Sequence, residues 1–98
     1  MDNGPIQLPA DYTNLDWMQR RAVRNEYVKV QDGKCCHCDG RLDVGPPVSI
    51  THKEINWGKF PPNFLKYPIH LHHCHETGQT IGVVHSYCNA VLWQYHGE

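Results

Sequence analysis

The chain carries its densest set of metal-binding side chains in the stretch 71-LHHCHETGQTIGVVHSYCN-89. Three histidines fall within four residues near its start, a Thr-Gly pair marks a turn, and a His-x-x-Cys pair is followed directly by an asparagine. So many imidazole and thiol groups in one short segment indicate that a metal is bound there. The rest of the sequence is then interpreted as support for this segment.

The size of the chain allows one domain that needs more than a hydrophobic core for its stability. Its 98 residues predict a single domain over residues 14–98, preceded by an irregular lead-in over residues 1–13. A domain this small often depends on a bound metal or on disulfides. The five cysteines are an odd number and three of them crowd into residues 35–38, which favours metal binding over a disulfide framework.

Charge and hydropathy limit the location and the partners of the protein. No apolar run is long enough to cross a bilayer and no secretory signal is present, so we expect a cytoplasmic monomer without a membrane partner. The formal net charge is −1 with neutral histidines, which excludes capture of nucleic acid by overall basicity. Any contact with DNA must therefore be local.

Hydrophobic periodicity predicts a helix over residues 14–31. Its apolar stripe recurs at spacings of mostly three and four residues, at Leu15, Met18, Ala22, Tyr27 and Val30. Three arginines lie off this stripe, at Arg20, Arg21 and Arg24. They form either a solvated helix face or a patch that contacts phosphate, and both interpretations remain open.

The remaining segments predict short strands, a loop and a closing helix. Residues 48–52 alternate as a strand does, and residues 67–72 and 80–84 predict two further strands joined by a turn. Ser86 is a suitable N-cap for the closing helix. Four apolar residues of the loop are expected to seal the core, with contact to DNA as the alternative: Trp57, Phe60, Phe64 and Leu65.

Two Cys/His pairs predict a structural zinc site. Cys35-x-x-Cys38 ends in a glycine-bearing turn like a zinc knuckle, and His85-x-x-Cys88 supplies the second pair. Together they make a closed tetrahedral set of three cysteines and one histidine. Zinc bound there would contribute on the order of 10–16 kcal/mol and would be a requirement for folding.

Four ligand-type residues outside this set point to a second, reactive ion: His72, His73, His75 and Asn89. Asn89 directly follows Cys88, so a bound zinc would fix the direction of the asparagine. Two histidines at a strand end and an asparagine on a helix can share one divalent ion and leave positions for water and phosphate. Cys74 lies between these histidines and is expected to be a small buried hydrophobe.

These spaced elements together resemble the HNH nuclease motif, in the version found in recombination endonuclease VII and its small phage relatives. That version reads Asp-His-x-His-x-Thr-Gly, a glycine, then Cys-x-x-Cys-Asn, with an earlier Cys-x-x-Cys. Here His72 replaces the aspartate and His85 replaces one zinc cysteine. A nitrogen ligand at position 72 softens the preference for Mg²⁺ toward Mn²⁺, Ni²⁺ or Zn²⁺.

The resemblance implies an α+β fold, a zinc-stapled ββα-metal domain (HNH, or His-Me finger) with an N-terminal helix. It also implies hydrolysis of DNA phosphodiester bonds, as a nick, with one divalent ion. In that case His73 is the general base, His72 and Asn89 bind the ion, and His75 assists at the phosphate. The structural zinc falls to Cys35, Cys38, His85 and Cys88.

The resemblance further suggests a bacteriophage protein that acts in the host cytoplasm, in DNA processing or packaging alongside terminase. The alternative function is a zinc-stabilised DNA-binding module without catalysis, which has no need for a general base beside an open metal. Trp93 lies one turn after Asn89 and is expected in the core or the site wall. The sequence assigns no role to His70.

Overall fold

The chain folds around one antiparallel β-hairpin that contacts two longer helices. A computed structural model describes residues 6–97. In chain order the elements are α1 (Trp17–Val30), α2 (Val48–Thr51), β1 (Ile69–His73), β2 (Thr80–His85) and α3 (Ser86–His96). The molecule is thus a small α+β fold with a two-stranded sheet, as expected at that level. Within residues 6–97, no helix has the length and apolar character needed to cross a membrane.

The hairpin brings the histidines of residues 72–75 to its turn end. His72 lies opposite Gly82 in the register, and a bulge follows between His72 and His73. Gly78 has a φ of 79°, which glycine adopts without strain, and its N–H donates to the carbonyl of Cys74. Because a bulge changes the direction of the strand, it re-aims the side chains at this end of β1.

A capping box determines where α1 begins. The Asp16 carboxylate accepts the backbone N–H of Gln19 at 2.8 Å, and the Gln19 side chain accepts the N–H of Asp16 at 2.9 Å. These two bonds satisfy donors that the first helical turn leaves without partners. The helix therefore starts at Trp17, three residues later than its periodicity predicted.

The buried face of α1 is narrower than its apolar stripe. Only Val23 and Tyr27 are buried, whereas Met18 and Val30 are 64% and 66% exposed. A two-stranded sheet offers the helix little surface, and a pair of residues four apart covers it. The predicted stripe is therefore wrong over most of its length.

Residues 48–51 form α2 rather than the predicted strand. Pro47 precedes this helix, and its carbonyl accepts the N–H groups of Ile50 and Thr51. Proline has a φ that suits the start of a helix. Ile50 is the only buried residue of α2. The alternation that suggested a strand therefore corresponds to a single apolar side chain packed in the core.

The lead-in extends the edge of the hairpin. Thr80 donates its backbone N–H to the carbonyl of Ala10, and Ala10 donates its own to Thr80 Oγ1, both at 2.8 Å. Tyr12 donates its N–H to the carbonyl of Gly78 at 2.8 Å. These bonds place the ring of Tyr12 next to the end of β1, although sixty residues separate the two segments in sequence.

Gly82 is expected to tolerate no side chain. A Cβ there would lie 2.5 Å from Gln31 Oε1, and that oxygen accepts the N–H of Val83 at 2.9 Å. The Gln31 amide nitrogen also donates to the carbonyls of Lys34 and Val83. Gly82→Ala should therefore displace a side chain that joins α1 to β2, and lower the free energy of unfolding by about 1–3 kcal/mol in urea denaturation.

Gly45→Ala is the matched control for this substitution. No atom lies within 4 Å of a Cβ built at Gly45, so the same change should leave the denaturation midpoint close to that of the wild type. Equal midpoints for the Gly82 and Gly45 variants would show that the amide of Gln31 does not hold the two elements together.

Candidate metal centre and adjoining cavity

The structure brings together four residues that the sequence predicted as metal ligands: Cys35, Cys38, His85 and Cys88. Their ligand atoms all lie within 4.8 Å of one another. The sulfur atoms of Cys38 and Cys88 are 3.4 and 3.6 Å from His85 Nδ1. With Zn–S near 2.3 Å and Zn–N near 2.0 Å, tetrahedral geometry separates such atoms by about 3.6 Å. The set fits a tetrahedral ion and could hold a metal such as zinc.

Backbone groups orient the ligands of this set. His85 Nε2 is 2.8 Å from the carbonyl oxygens of Arg41 and Val44, so this nitrogen carries the ring proton and Nδ1 keeps a lone pair for a metal. Three backbone N–H groups donate to Cys35 Sγ, at 3.4 to 3.5 Å. Such N–H···S bonds favour the thiolate form that binds a metal.

Hydrogen bonds and charge repulsion among the three thiols shift their pKa values. A hydrogen bond from Cys88, helped by backbone N–H groups, lowers the pKa of the Cys35 thiol. The same bond and burial raise the pKa of Cys88, and burial raises the pKa of Cys38. A cation would relieve this competition because it stabilises all three thiolates. Within residues 6–97, no second group of three or more His, Cys, Asp or Glu ligand atoms meets this closely.

A cavity of about 960 Å³ adjoins this centre through α3. It is lined by all the other residues that the sequence singled out for the site: His72, His73, His75, Asn89, Arg20, Arg21 and Arg24. Lys59 adds a fourth permanent cation, and no Asp or Glu is among the described residues of the lining. The cavity is therefore cationic, although the whole chain has a net charge of −1.

His73 contacts the rings of two other residues of the cavity. Its imidazole is parallel to the Tyr12 ring, with 3.8 Å between centroids and 6° between planes. Arg20 places its guanidinium 4.1 Å from the centroid of Tyr12, and His75 is 4.9 Å from His73. Burial, followed by the charges of His75 and His72, lowers the pKa of His73, which keeps the imidazole neutral near pH 7.

His70 positions Asn89, a contact that the sequence analysis missed. The Asn89 amide nitrogen is 3.1 Å from His70 Nδ1, and burial is the main cause that lowers the pKa of His70. The neutral ring thus accepts the amide N–H at Nδ1, which leaves the oxygen of Asn89 for another partner. Because strand side chains alternate, the position of His70 two residues before His72 was the signal that could have revealed it.

Cys74 differs from its expectation as a buried hydrophobe. It is half-buried, is not among the residues that line the cavity, and its backbone closes the turn through bonds with Gln79 and Gly78. A hydrogen bond from Thr77 lowers the pKa of its thiol. Cys74 is therefore a turn residue, whereas the two buried cysteines, Cys35 and Cys88, belong to the metal centre.

The sequence and the fold were also compared with protein-family models, with curated proteins and with solved structures, and nothing matched. The resemblance to HNH nucleases stays a prediction for this reason.

Proposed function

We propose that the protein is a metal-dependent DNA endonuclease of the HNH type, which nicks phosphodiester bonds in the cationic cavity. The observation that carries the proposal is that His72, His73 and Asn89 line one cavity together with three arginines, next to a Cys3His centre. A hairpin followed by α3 provides the order of elements that a ββα-metal domain requires. The ion of the Cys3His centre is proposed to be zinc, with a structural role.

In this mechanism His73 accepts the proton of the attacking water. Its lowered pKa keeps it unprotonated at neutral pH, and stacking on Tyr12 restricts the orientation of its ring. His75 is exposed beside it, with its ring 4.9 Å from that of His73, and its proposed role is to assist at the phosphate. The arginines of α1 bind the phosphodiester, because the forked donors of arginine match phosphate oxygens.

His72 and Asn89 are the residues of this chain that would hold the reactive divalent ion. Such an ion supplies polarisation of the phosphoryl oxygen and stabilisation of the leaving 3′ oxygen. His72 is only 4% exposed, and Asn89 offers its amide oxygen because its amide nitrogen is bonded to His70. One nitrogen and one oxygen ligand suit Mn²⁺, Ni²⁺ or Zn²⁺ better than Mg²⁺.

The test of the proposal is the conversion of supercoiled plasmid to the open-circular form in the presence of Mn²⁺, Mg²⁺, Ni²⁺ or Zn²⁺. We expect nicking with at least one of these ions. Plasmid that stays supercoiled and single strands that stay uncut under all four, while the protein still binds DNA, would identify the non-catalytic module instead. The proposed biological setting is that of a phage protein in the host cytoplasm that processes DNA for packaging, with terminase as a partner.

His70→Phe is expected to weaken the reactive metal site selectively. Phenylalanine keeps the edge contact that Phe64 makes with residue 70, at 4.8 Å between centroids, but removes the acceptor for the amide of Asn89. Loss of such a supporting bond typically costs about 10–100-fold in metal affinity. The Mn²⁺ concentration for half-maximal nicking should rise accordingly, with the zinc content unchanged.

His70→Gln is the rescue variant for this prediction. The glutamine side chain again offers an acceptor to Asn89 and should recover part of the lost affinity. If His70→Phe and the wild type require the same Mn²⁺ concentration, His70 does not position the ligand.

A further inference from the structure

The cavity contains large exposed aromatic rings for which the hydrolytic mechanism has no use. Trp17, Tyr67 and Trp93 line it and are 70%, 63% and 45% exposed. The loop aromatics were expected to seal the core, yet Phe60 and Phe64 line the same cavity. Apolar rings grouped in a concave, cationic site are typical of a binding surface, since exposed apolar patches are otherwise kept small.

The rings at one end of this surface support one another. Phe60 makes an edge contact with Trp93 at 5.3 Å and a tilted contact with Phe64 at 4.8 Å, and Phe64 makes an edge contact with His70 at 4.8 Å. Trp93 is thereby held in place while almost half of its surface remains exposed. A ring fixed in this way loses little conformational freedom when a flat ligand stacks on it.

Most of the cations and most of the aromatic rings come from different elements around β1. The arginines belong to α1, whereas the rings come mainly from the loop before β1 and from α3, and β1 contacts both helices. The ligand must then present negative charge and flat apolar faces together. A lining without carboxylates favours a polyanion over an ordinary protein surface, which carries both signs of charge.

Duplex DNA presents the negative charge but not the flat apolar faces. Its phosphates face outward, but its bases are stacked on one another inside the helix, so aromatic side chains cannot cover their faces. An unpaired strand exposes both phosphates and base faces, and proteins that bind such strands combine a cationic groove with aromatic stacking platforms. The composition of the cavity matches this second ligand.

We infer that the DNA accepted by this cavity is single-stranded or locally unpaired. The arginines of α1 bind its phosphates, and its bases stack on Trp17 and Tyr67, which are more exposed than Trp93. The inference rests on the proposed function, which makes DNA the ligand. It adds that the bound strand is unpaired. Cleavage of such DNA therefore takes place where the duplex is open, at bubbles, flaps or displaced strands.

Fluorescence anisotropy with a labelled oligonucleotide tests the inference without relying on cleavage. The zinc-loaded protein is titrated against the single strand and against the duplex of the same sequence, in buffer without other divalent ions. Each base stacked on a ring contributes enough affinity that the single strand should bind roughly tenfold tighter than the duplex. Equal or tighter binding of the duplex would overturn the inference.

Two tyrosines provide a matched pair of variants. Tyr67 and Tyr95 are 63% and 49% exposed, and each lies near a lysine, with Lys66 Nζ 5.6 Å and Lys53 Nζ 5.3 Å from the ring centroids. Tyr67 lines the cavity and Tyr95 does not. Tyr67→Ala should weaken single-strand binding roughly fivefold or more, whereas Tyr95→Ala should leave it unchanged.

Trp17→Ala serves as a second variant, because Trp17 is 70% exposed at the start of α1 and its removal leaves no cavity in the core. If Tyr67→Ala and Trp17→Ala both bind the single strand as Tyr95→Ala does, the inference is overturned even when plasmid nicking persists. Conversely, tight single-strand binding by a protein that nicks no plasmid and cuts no unpaired strand supports the inference and overturns the proposed nuclease.

Discussion

Replacing Cys88 by serine is expected to leave the chain unfolded even with zinc in excess. Cys88 is fully buried, and its sulfur lies 3.6 Å from His85 Nδ1. A serine hydroxyl does not supply the thiolate ligand, so the variant loses most of a binding free energy on the order of 10–16 kcal/mol. That loss is comparable with or larger than the whole stability of a typical domain, about 5–15 kcal/mol.

The measurement combines far-ultraviolet circular dichroism with the zinc content of the purified protein. Wild type should carry one zinc per chain and lose its helical signal on prolonged chelation. Cys36→Ser is the control, because Cys36 is exposed, neighbours Cys35 in the knuckle and lies outside the ligand set. It should retain both zinc and fold. A Cys88→Ser protein that is folded and free of metal would show that the zinc assignment is wrong.

Loss of the metal should unfold the whole domain because the metal ligands and the hydrophobic core form one unit. Among the described residues, the largest fully buried side chains are Val83, Val84, Val91 and Cys88, so one ligand lies inside the apolar cluster. His85 ends β2 and Cys88 lies in the first turn of α3, and a metal at this point joins the knuckle to both elements. Asn89 follows immediately, so loss of the metal would also displace a proposed ligand of the reactive ion.

The ligand set could be predicted from the sequence because its signal is local. Each pair has the x-x spacing that places two ligand atoms on one ion, and only their meeting depended on the fold. The hairpin was predictable for a similar reason, since a Thr-Gly turn bounds it. The predicted N-cap of α3 is wrong by one residue: Ser86 is the first residue of the helix, and His85 precedes it as the N-cap without a capping bond from its side chain. The structure places the two pairs within 4.8 Å across 46 intervening residues.

The surroundings of the cavity could not be predicted because they depend on contacts distant in sequence. Tyr12 reaches His73 only because the lead-in pairs with the edge of β2, and no local pattern encodes that pairing. The exposed state of Trp57 and Leu65, at 39% and 46%, has the same origin: a two-stranded sheet offers too little area to cover every apolar residue of the loop. Hydrophobicity alone does not distinguish a core ring from a ring in a site wall.

His73→Ala is expected to reduce plasmid nicking by about 10²–10⁴-fold, the usual contribution of a positioned general base. His73 is the histidine of the cavity that combines a lowered pKa with a stacked, fixed ring, and alanine removes the proton acceptor. The substitution leaves the Cys3His centre intact, so zinc content and helical signal should match those of the wild type. Initial rates of open-circular product, at saturating Mn²⁺, provide the measurement.

The control is His52→Ala, because His52 is an exposed histidine at the end of α2 and does not line the cavity. It should nick at the wild-type rate. Binding of uncut DNA separates two explanations for a slow His73→Ala protein: lost affinity would point to a DNA contact, whereas retained affinity with lost nicking points to proton transfer. If His73→Ala nicks as fast as His52→Ala, the base must be another group of the cavity, and His75, 4.9 Å away, is the first residue to substitute.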